Sequence, residues 1–161
     1  MRVLITGKGS SGSWQIRGVQ LGQAIGAEVQ PMAEPSDCRS AQIVVGVKRI
    51  SEPLLRSIKA SGRPFVWDCV DPWPQPCDWG ERQAKAWLWG EFGRLRPDAI
   101  VFGTERMRED SEFLGPSLVL PHHAWPKYTG NPIRPVQVVG YEGAEIYLGR
   151  WRAVLEHECK Q

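Results

Sequence analysis

The chain has 161 residues, 42% of them hydrophobic and 24% charged, with a formal net charge of +2. That length suits one globular domain with a real core and is too short for two full α/β domains, and the composition excludes a disordered or fibrous protein. No apolar run reaches the roughly eighteen residues of a membrane-spanning helix, and so small a net charge gives no clear nucleic-acid signal.

Residues 3–6 (Val-Leu-Ile-Thr) read as a short strand that starts almost at once, without the apolar length or cleavage region of a secretion signal, so a cytoplasmic setting is expected. The glycine- and serine-rich run Gly7-Lys8-Gly9-Ser10-Ser11-Gly12-Ser13 reads as a loop. From Trp14 the period changes: Ile16, Val19, Leu21, Ala24 and Ile25 form a helical apolar stripe, with Ser13 as N-cap and Gly26 near the end. Residues 28–30 suit a second short strand, and a polar, proline-broken stretch follows through Ser40. Residues 42–47 carry Ile43-Val44-Val45, the pattern of a buried parallel strand. Ser51 is placed to cap a helix with Pro53 early, Leu54, Leu55 and Ile58 inward and Gly62 at its close.

Residues 64–71 give the next strand, with carboxylates at its C-terminal side, and the prolines of 72–77 require a loop. A helix over about 80–95, a strand over 99–102, a short helix after Thr104 and a strand over 117–120 follow, the last ending at Pro121-His122-His123. Residues 126–135 read as an exposed loop or linker, and residues 140–161 as a terminal helical segment packing back or onto a partner. Alternating strands and helices predict a mostly parallel sheet with helices on both faces, a Rossmann-like α/β fold forming a single domain over 1–161.

In such a sheet the ligand crevice lies beyond the C-terminal ends of the strands. The first loop occupies that edge. Its glycines permit close approach, its hydroxyls can hydrogen-bond, and the amides of the following helix can receive an anion, which makes Gly9, Ser10, Ser11, Gly12 and Ser13 candidate ligand contacts. The spacing is not the dinucleotide fingerprint, and Lys8 falls on the wrong side of the glycines for a Walker loop; a turn whose glycines serve geometry alone is the alternative. Arg17, one turn into the helix, can neutralise an anion, or else is exposed or paired with a carboxylate. Lys48 can contact phosphate or keep its loop solvated.

Asp68 and Asp71 bracket a strand exit, where either can bind sugar hydroxyls or act as a base, or serve as a capping or loop hydrogen-bond acceptor; Trp73 supplies an apolar wall beside them. His122 can move a proton or orient a hydroxyl. Four cysteines, Cys38, Cys69, Cys77 and Cys159, and the adjacent His122-His123 complete no metal-ligand spacing, so reduced thiols and no metal or cofactor are expected. Residues 1–70 carry nine Lys or Arg against five Asp or Glu, a bias that suits an anionic small ligand as well as ordinary surface charge. Of eight tryptophans, Trp73, Trp79, Trp87 and Trp89 cluster within seventeen residues, as a binding surface or as core.

The strand and loop of residues 3–13, the helix carrying Gln15-Ile16-Arg17 and Gln20-Leu21, the Lys48 and Asp68–Asp71 strand ends, Ala99 through Met107 and Leu120-Pro121-His122-His123 together resemble the N-terminal half of a two-Rossmann-domain (GT-B-like) glycosyltransferase, over roughly residues 1–135. The resemblance implies that Gly9–Ser13 face an interdomain cleft with Asp68, Asp71 and His122 nearby, and that the ligand is a sugar, a nucleotide or a related anionic molecule. The chain departs from the family in lacking most of a donor-binding half and the first-loop histidine that many inverting members use as a base. Binding is therefore expected ahead of autonomous catalysis, with a protein partner or a homodimer supplying the missing half of any active enzyme. The other reading is a non-enzymatic interaction module using the tryptophan-rich surface.

Overall fold

A computed structural model of the chain describes residues 1–70 and 81–121, all of which fall in one compact unit. The linker expected at 126–135 and the helix expected within 140–161 lie outside the described residues.

The elements follow the hydrophobic patterning closely. β1 (Val3–Gly7) leads through the first loop into a helix whose opening stretch, Trp14–Gln20, is π-helical and which continues as α1 (Leu21–Ile25). β2 (Glu28–Val29), α2 (Pro35–Ser40), β3 (Ile43–Val47), α3 (Glu52–Ser61) and β4 (Phe65–Cys69) come next. α4 (Glu81–Leu95), β5 (Ala99–Phe102), α5 (Glu105–Ser111) and β6 (Ser117–Val119) complete the described elements.

α2 lies in the stretch that the sequence reading treats as proline-broken. Pro35 occupies the first helical turn, where a missing N–H removes no helical bond. The Asp37 carboxylate accepts from the Glu34 backbone N–H at 2.9 Å, one half of a reciprocal capping box. α3 begins after Ser51 and ends at Gly62, whose φ of 64° closes the helix in the left-handed region. Leu54, Leu55 and Ile58 form its buried face, as their spacing requires.

Among the described residues, six strands form one sheet in the order β2-β1-β3-β4-β5-β6, and every neighbouring pair is parallel. One face packs against α2, α3 and α4 through a core that includes Leu4, Val44, Leu54, Ile58, Phe65, Trp67, Leu95 and Ile100. The other face carries Ile5, Val47 and Val70 beneath Trp14 and Val19 of the first helix. Burial on both sides explains why β1 and β3 read as apolar runs without a strict alternation. The one polar side chain inside β1, Thr6, is fully buried and accepts from the Ala33 backbone N–H at 3.1 Å. No helix among the described residues is long and apolar enough to cross a membrane. The architecture is a Rossmann-like α/β fold.

Gly46 shows how tightly the larger core is closed. A Cβ at this position of central β3 would stand 2.8 Å from both Ile50 Cδ1 and Phe65 Cε2, and the Phe65 ring is held in the core with 1% exposure. Gly46→Ala is therefore expected to lower the unfolding free energy by about 1–3 kcal/mol through overpacking. Urea unfolding of the two proteins checks this, and an unchanged midpoint would contradict the packing described.

Candidate functional site

The strand order reverses between β1 and β3. From β1 the chain moves outward to β2, then crosses back to β3 and proceeds to β4, so the loops leaving β1 and β3 part and open a crevice at the C-terminal edge of the sheet. Residues 8–13 and 48–51 border that crevice.

The first loop is shaped by close backbone contacts. Gly9 has a φ of 90°, and a Cβ there would lie 2.7 Å from Pro31 Cβ. Both the conformation and the space demand glycine. Ser11 starts the helix: its Oγ accepts from Trp14 N–H at 3.2 Å and its carbonyl from Gln15 N–H at 3.1 Å. The amides of Gly12 and Ser13 thus stand ahead of the helical ladder, with Ser10, Ser11 and Gly12 exposed beside them. The Trp14 ring lies against Gly7 and Gly18, where added Cβ atoms would come within 3.1 Å and 2.7 Å of it. Two glycines and one buried indole thereby fix the entry of the helix. From Trp14 the helix takes a widened π form, which recurs at functional sites.

Arg17 leaves the same π segment and is buried, with 1% exposure, as is Asp68 of β4. The guanidinium donates from Nε to Asp68 Oδ2 at 2.8 Å and from Nη2 to Oδ1 at 2.9 Å. Its Nη1 donates to the Leu120 carbonyl at 2.7 Å and reaches the Pro121 carbonyl at 3.4 Å. Sequence reasoning singled out both residues separately; the structure brings them together, and of the readings open for Arg17 the carboxylate-paired one is realised. One ion pair therefore ties the first helix, β4 and the chain beyond β6.

Lys48 follows β3 with a φ of 59°, in the left-handed region that non-glycine residues seldom adopt. Two hydrogen bonds hold it there. Its N–H donates to the Asp68 carbonyl at 2.9 Å, and its carbonyl accepts from Trp67 Nε1 at 2.7 Å. The side chain turns across the crevice to the first loop, with Nζ 3.3 Å from Ser13 Oγ. Gly9, Ser10, Ser11, Gly12, Ser13 and Lys48 are thus gathered at one edge, whereas Asp71, Trp73 and His122 lie outside the described residues.

A cleft of about 250 Å³ opens beside Lys48, walled by Ile50, Trp67 and Cys69 from the sheet side and by Trp87, Glu91 and Arg94 from α4. Most of these residues were not singled out in the sequence. Trp67 is marked only by its place next to Asp68, on the opposite face of β4, and Glu91 and Arg94 only by their separation of one helical turn. Arg94 is held by Glu91 and Glu52, and its pKa is raised chiefly by the hydrogen bonds to Glu91, burial acting in the other direction. Of the clustered tryptophans, Trp87 is half-buried in this cleft and Trp89 is 51% exposed, its Nε1 donating to the Ser111 carbonyl; Trp73 and Trp79 lie outside the described residues. Among the described residues no three His, Cys, Asp or Glu side chains gather where they could hold a metal.

Comparison with models of protein families, with curated proteins and with solved structures finds no match to this chain. The crevice is therefore read from its own chemistry.

The buried pair makes a direct prediction. Asp68→Leu and Arg17→Met each leave one partner of a desolvated ion pair behind, and each is expected to cost about 3–5 kcal/mol of stability. The double variant R17M/D68L, which removes both charges, is expected to lose much less than the sum of two such losses. Chemical denaturation of the three variants measures this; additive losses would show that the two side chains are not energetically coupled.

Proposed function

We propose that the chain binds a small phosphate-bearing molecule, of the nucleotide or nucleotide-sugar class, in the crevice between the loops after β1 and β3. The observation that carries the reading is Lys48. Its backbone is held in a strained conformation by Asp68 and Trp67, and its ammonium group reaches the hydroxyl of Ser13 across the topological switch point. Strain of this kind persists where surrounding bonds over-determine it, and it clusters at ligand clamps. An anion between Lys48 Nζ and the amides of Gly12 and Ser13 gains a charge-assisted hydrogen bond together with the favourable end of the helix dipole.

In this reading Gly9 through Ser13 and Lys48 touch the ligand, while Arg17 and Asp68 hold the walls in place. With both carboxylate oxygens bonded to Arg17, Asp68 serves as a support ahead of a role as a base. The resemblance to the N-terminal half of a GT-B-like glycosyltransferase supplies the sugar-nucleotide part of the proposal, and binding is proposed without turnover by the chain alone. Cys38 is buried, and burial pushes its thiol up in pKa and so towards its unreactive form.

Lys48→Gly separates the ammonium group from the fold, because glycine adopts the same backbone conformation without strain. The variant is expected to unfold no more easily than the original chain. It is also expected to bind pyrophosphate at least about tenfold more weakly, as the loss of one charged hydrogen bond of about 1.5–3 kcal/mol requires. Amide chemical shifts at Gly9–Ser13 and Lys48 during a pyrophosphate titration report the affinity. Unchanged affinity in the variant, or no shift at those residues, would falsify the proposal.

A further inference from the structure

We infer that the cleft beside Lys48 receives a planar heteroaromatic ring, the base portion of a nucleotide, and that it recognises the ring by stacking and shape without reading its polar edges. The inference extends the anion-binding reading above, on which the choice of a ring joined to a phosphate rests.

Size sets the first limit. An apolar cavity of about 150 Å³ admits benzene. At about 250 Å³ the cleft accommodates one ring or two fused rings, and not a base with its sugar and phosphates together. The remainder of such a ligand would have to leave through the mouth. Lys48, which lines the cleft, is also the residue whose Nζ meets Ser13 in the anion crevice. A ring in the cleft and a phosphate at the loop therefore share one boundary residue, the arrangement a single nucleotide needs.

The chemistry of the walls sets the second limit. Arg94 donates through Nε and Nη2 to the two oxygens of Glu91 at 2.8 Å and 2.7 Å, through Nη1 to Glu52 at 2.7 Å and through Nη2 to the Ile50 carbonyl at 2.9 Å. All but one of its N–H groups are engaged in these bonds. Glu91 spends both oxygens on the same guanidinium, and Trp67 Nε1 is committed to the Lys48 carbonyl. The polar groups of Trp67, Glu91 and Arg94 are thus mostly taken up within the fold, and with two carboxylates beside it Arg94 offers a phosphate little net attraction, while Arg49, exposed at the same cleft, lies at its mouth. What Arg94 retains is the face of its plane, which stacks on aromatic rings. Trp87, half-buried at the same wall, adds an indole, and Ile50 adds an aliphatic floor. Aromatic planes and a guanidinium plane whose in-plane donors are mostly engaged are surfaces on which bases stack irrespective of their identity.

The test uses the full chain and separates the two halves of the ligand: adenosine carries a ring without phosphate, and pyrophosphate carries the anion without a ring. Adenosine at millimolar concentration is expected to shift the Trp67 and Trp87 indole N–H resonances and to show intermolecular Overhauser contacts to Trp87 and Ile50. Trp87→Ala is expected to weaken adenosine at least about tenfold and to leave pyrophosphate unchanged. Cytidine and inosine are expected to bind with affinities close to that of adenosine. The inference is overturned if adenosine gives no Overhauser contact to the cleft in the unmodified chain, a result that does not depend on any variant folding. A strong preference among the three nucleosides would overturn its stacking-only form. Adenosine binding in the cleft without pyrophosphate binding at the loop would sustain the ring site and remove the anion reading, so the two failures are distinguishable.

Discussion

The crevice depends on one buried ion pair. Taking a guanidinium and a carboxylate out of water is expensive, and the cost is offset only when the pair is well aligned and the remaining hydrogen-bonding capacity is used. Arg17 and Asp68 meet both conditions: the contact is bidentate, and the third guanidinium nitrogen is turned to backbone carbonyls at Leu120 and Pro121. The consequence is geometric. The first helix cannot slide along the sheet without stranding a charge, so the glycine loop that precedes it is held over the end of β1. The Asp68 backbone carbonyl accepts from Lys48 as well, which extends the same control to the loop after β3. Both rims of the crevice are therefore referred to a single residue of β4.

Much of the fold was legible because its signals are local. The apolar runs of residues 3–6 and 43–45, the Leu54-Leu55-Ile58 face of α3 and the Thr104 cap each announce an element within a few residues, and Thr104 Oγ1 does accept from Met107 N–H at 3.1 Å. The exception is α2, where Pro35 was read as a breaker although its position in the first turn makes it compatible with a helix. The site was legible in part. Glycines, serines, Arg17, Lys48 and Asp68 stand out by type and by place at strand ends. That Arg17 and Asp68 neutralise each other across fifty-one positions of sequence is a property of strand order, which no local pattern records. The cleft is less legible still, since Ile50, Trp67 and Cys69 look alike as core residues until helix α4 is set against β4.

The two regions at the sheet edge divide the chemistry between them. The crevice between β1 and β3 gathers the Lys48 ammonium group, the first-loop hydroxyls and helix amides. The cleft towards α4 holds the indoles of Trp67 and Trp87, the Arg94 guanidinium paired with Glu91 and Glu52, and Arg49. Such a division suits a molecule with an anionic end and a flat apolar end, as proposed above. Lys48 is the hinge of the arrangement, because its backbone belongs to one region and its ammonium group to the other.

The reach of Arg17 to Leu120 also has a consequence for biosynthesis. Its acceptor lies 103 residues downstream. A ribosome releases the first loop and its helix long before β6 exists, so through much of elongation the guanidinium lacks the carbonyls beyond β6, although Asp68 is made well before them. Contacts between residues so far apart in sequence form late, after the entropy of closing the intervening chain has been met. The crevice is thus among the last parts of the molecule to mature, completed only once the sixth strand has docked.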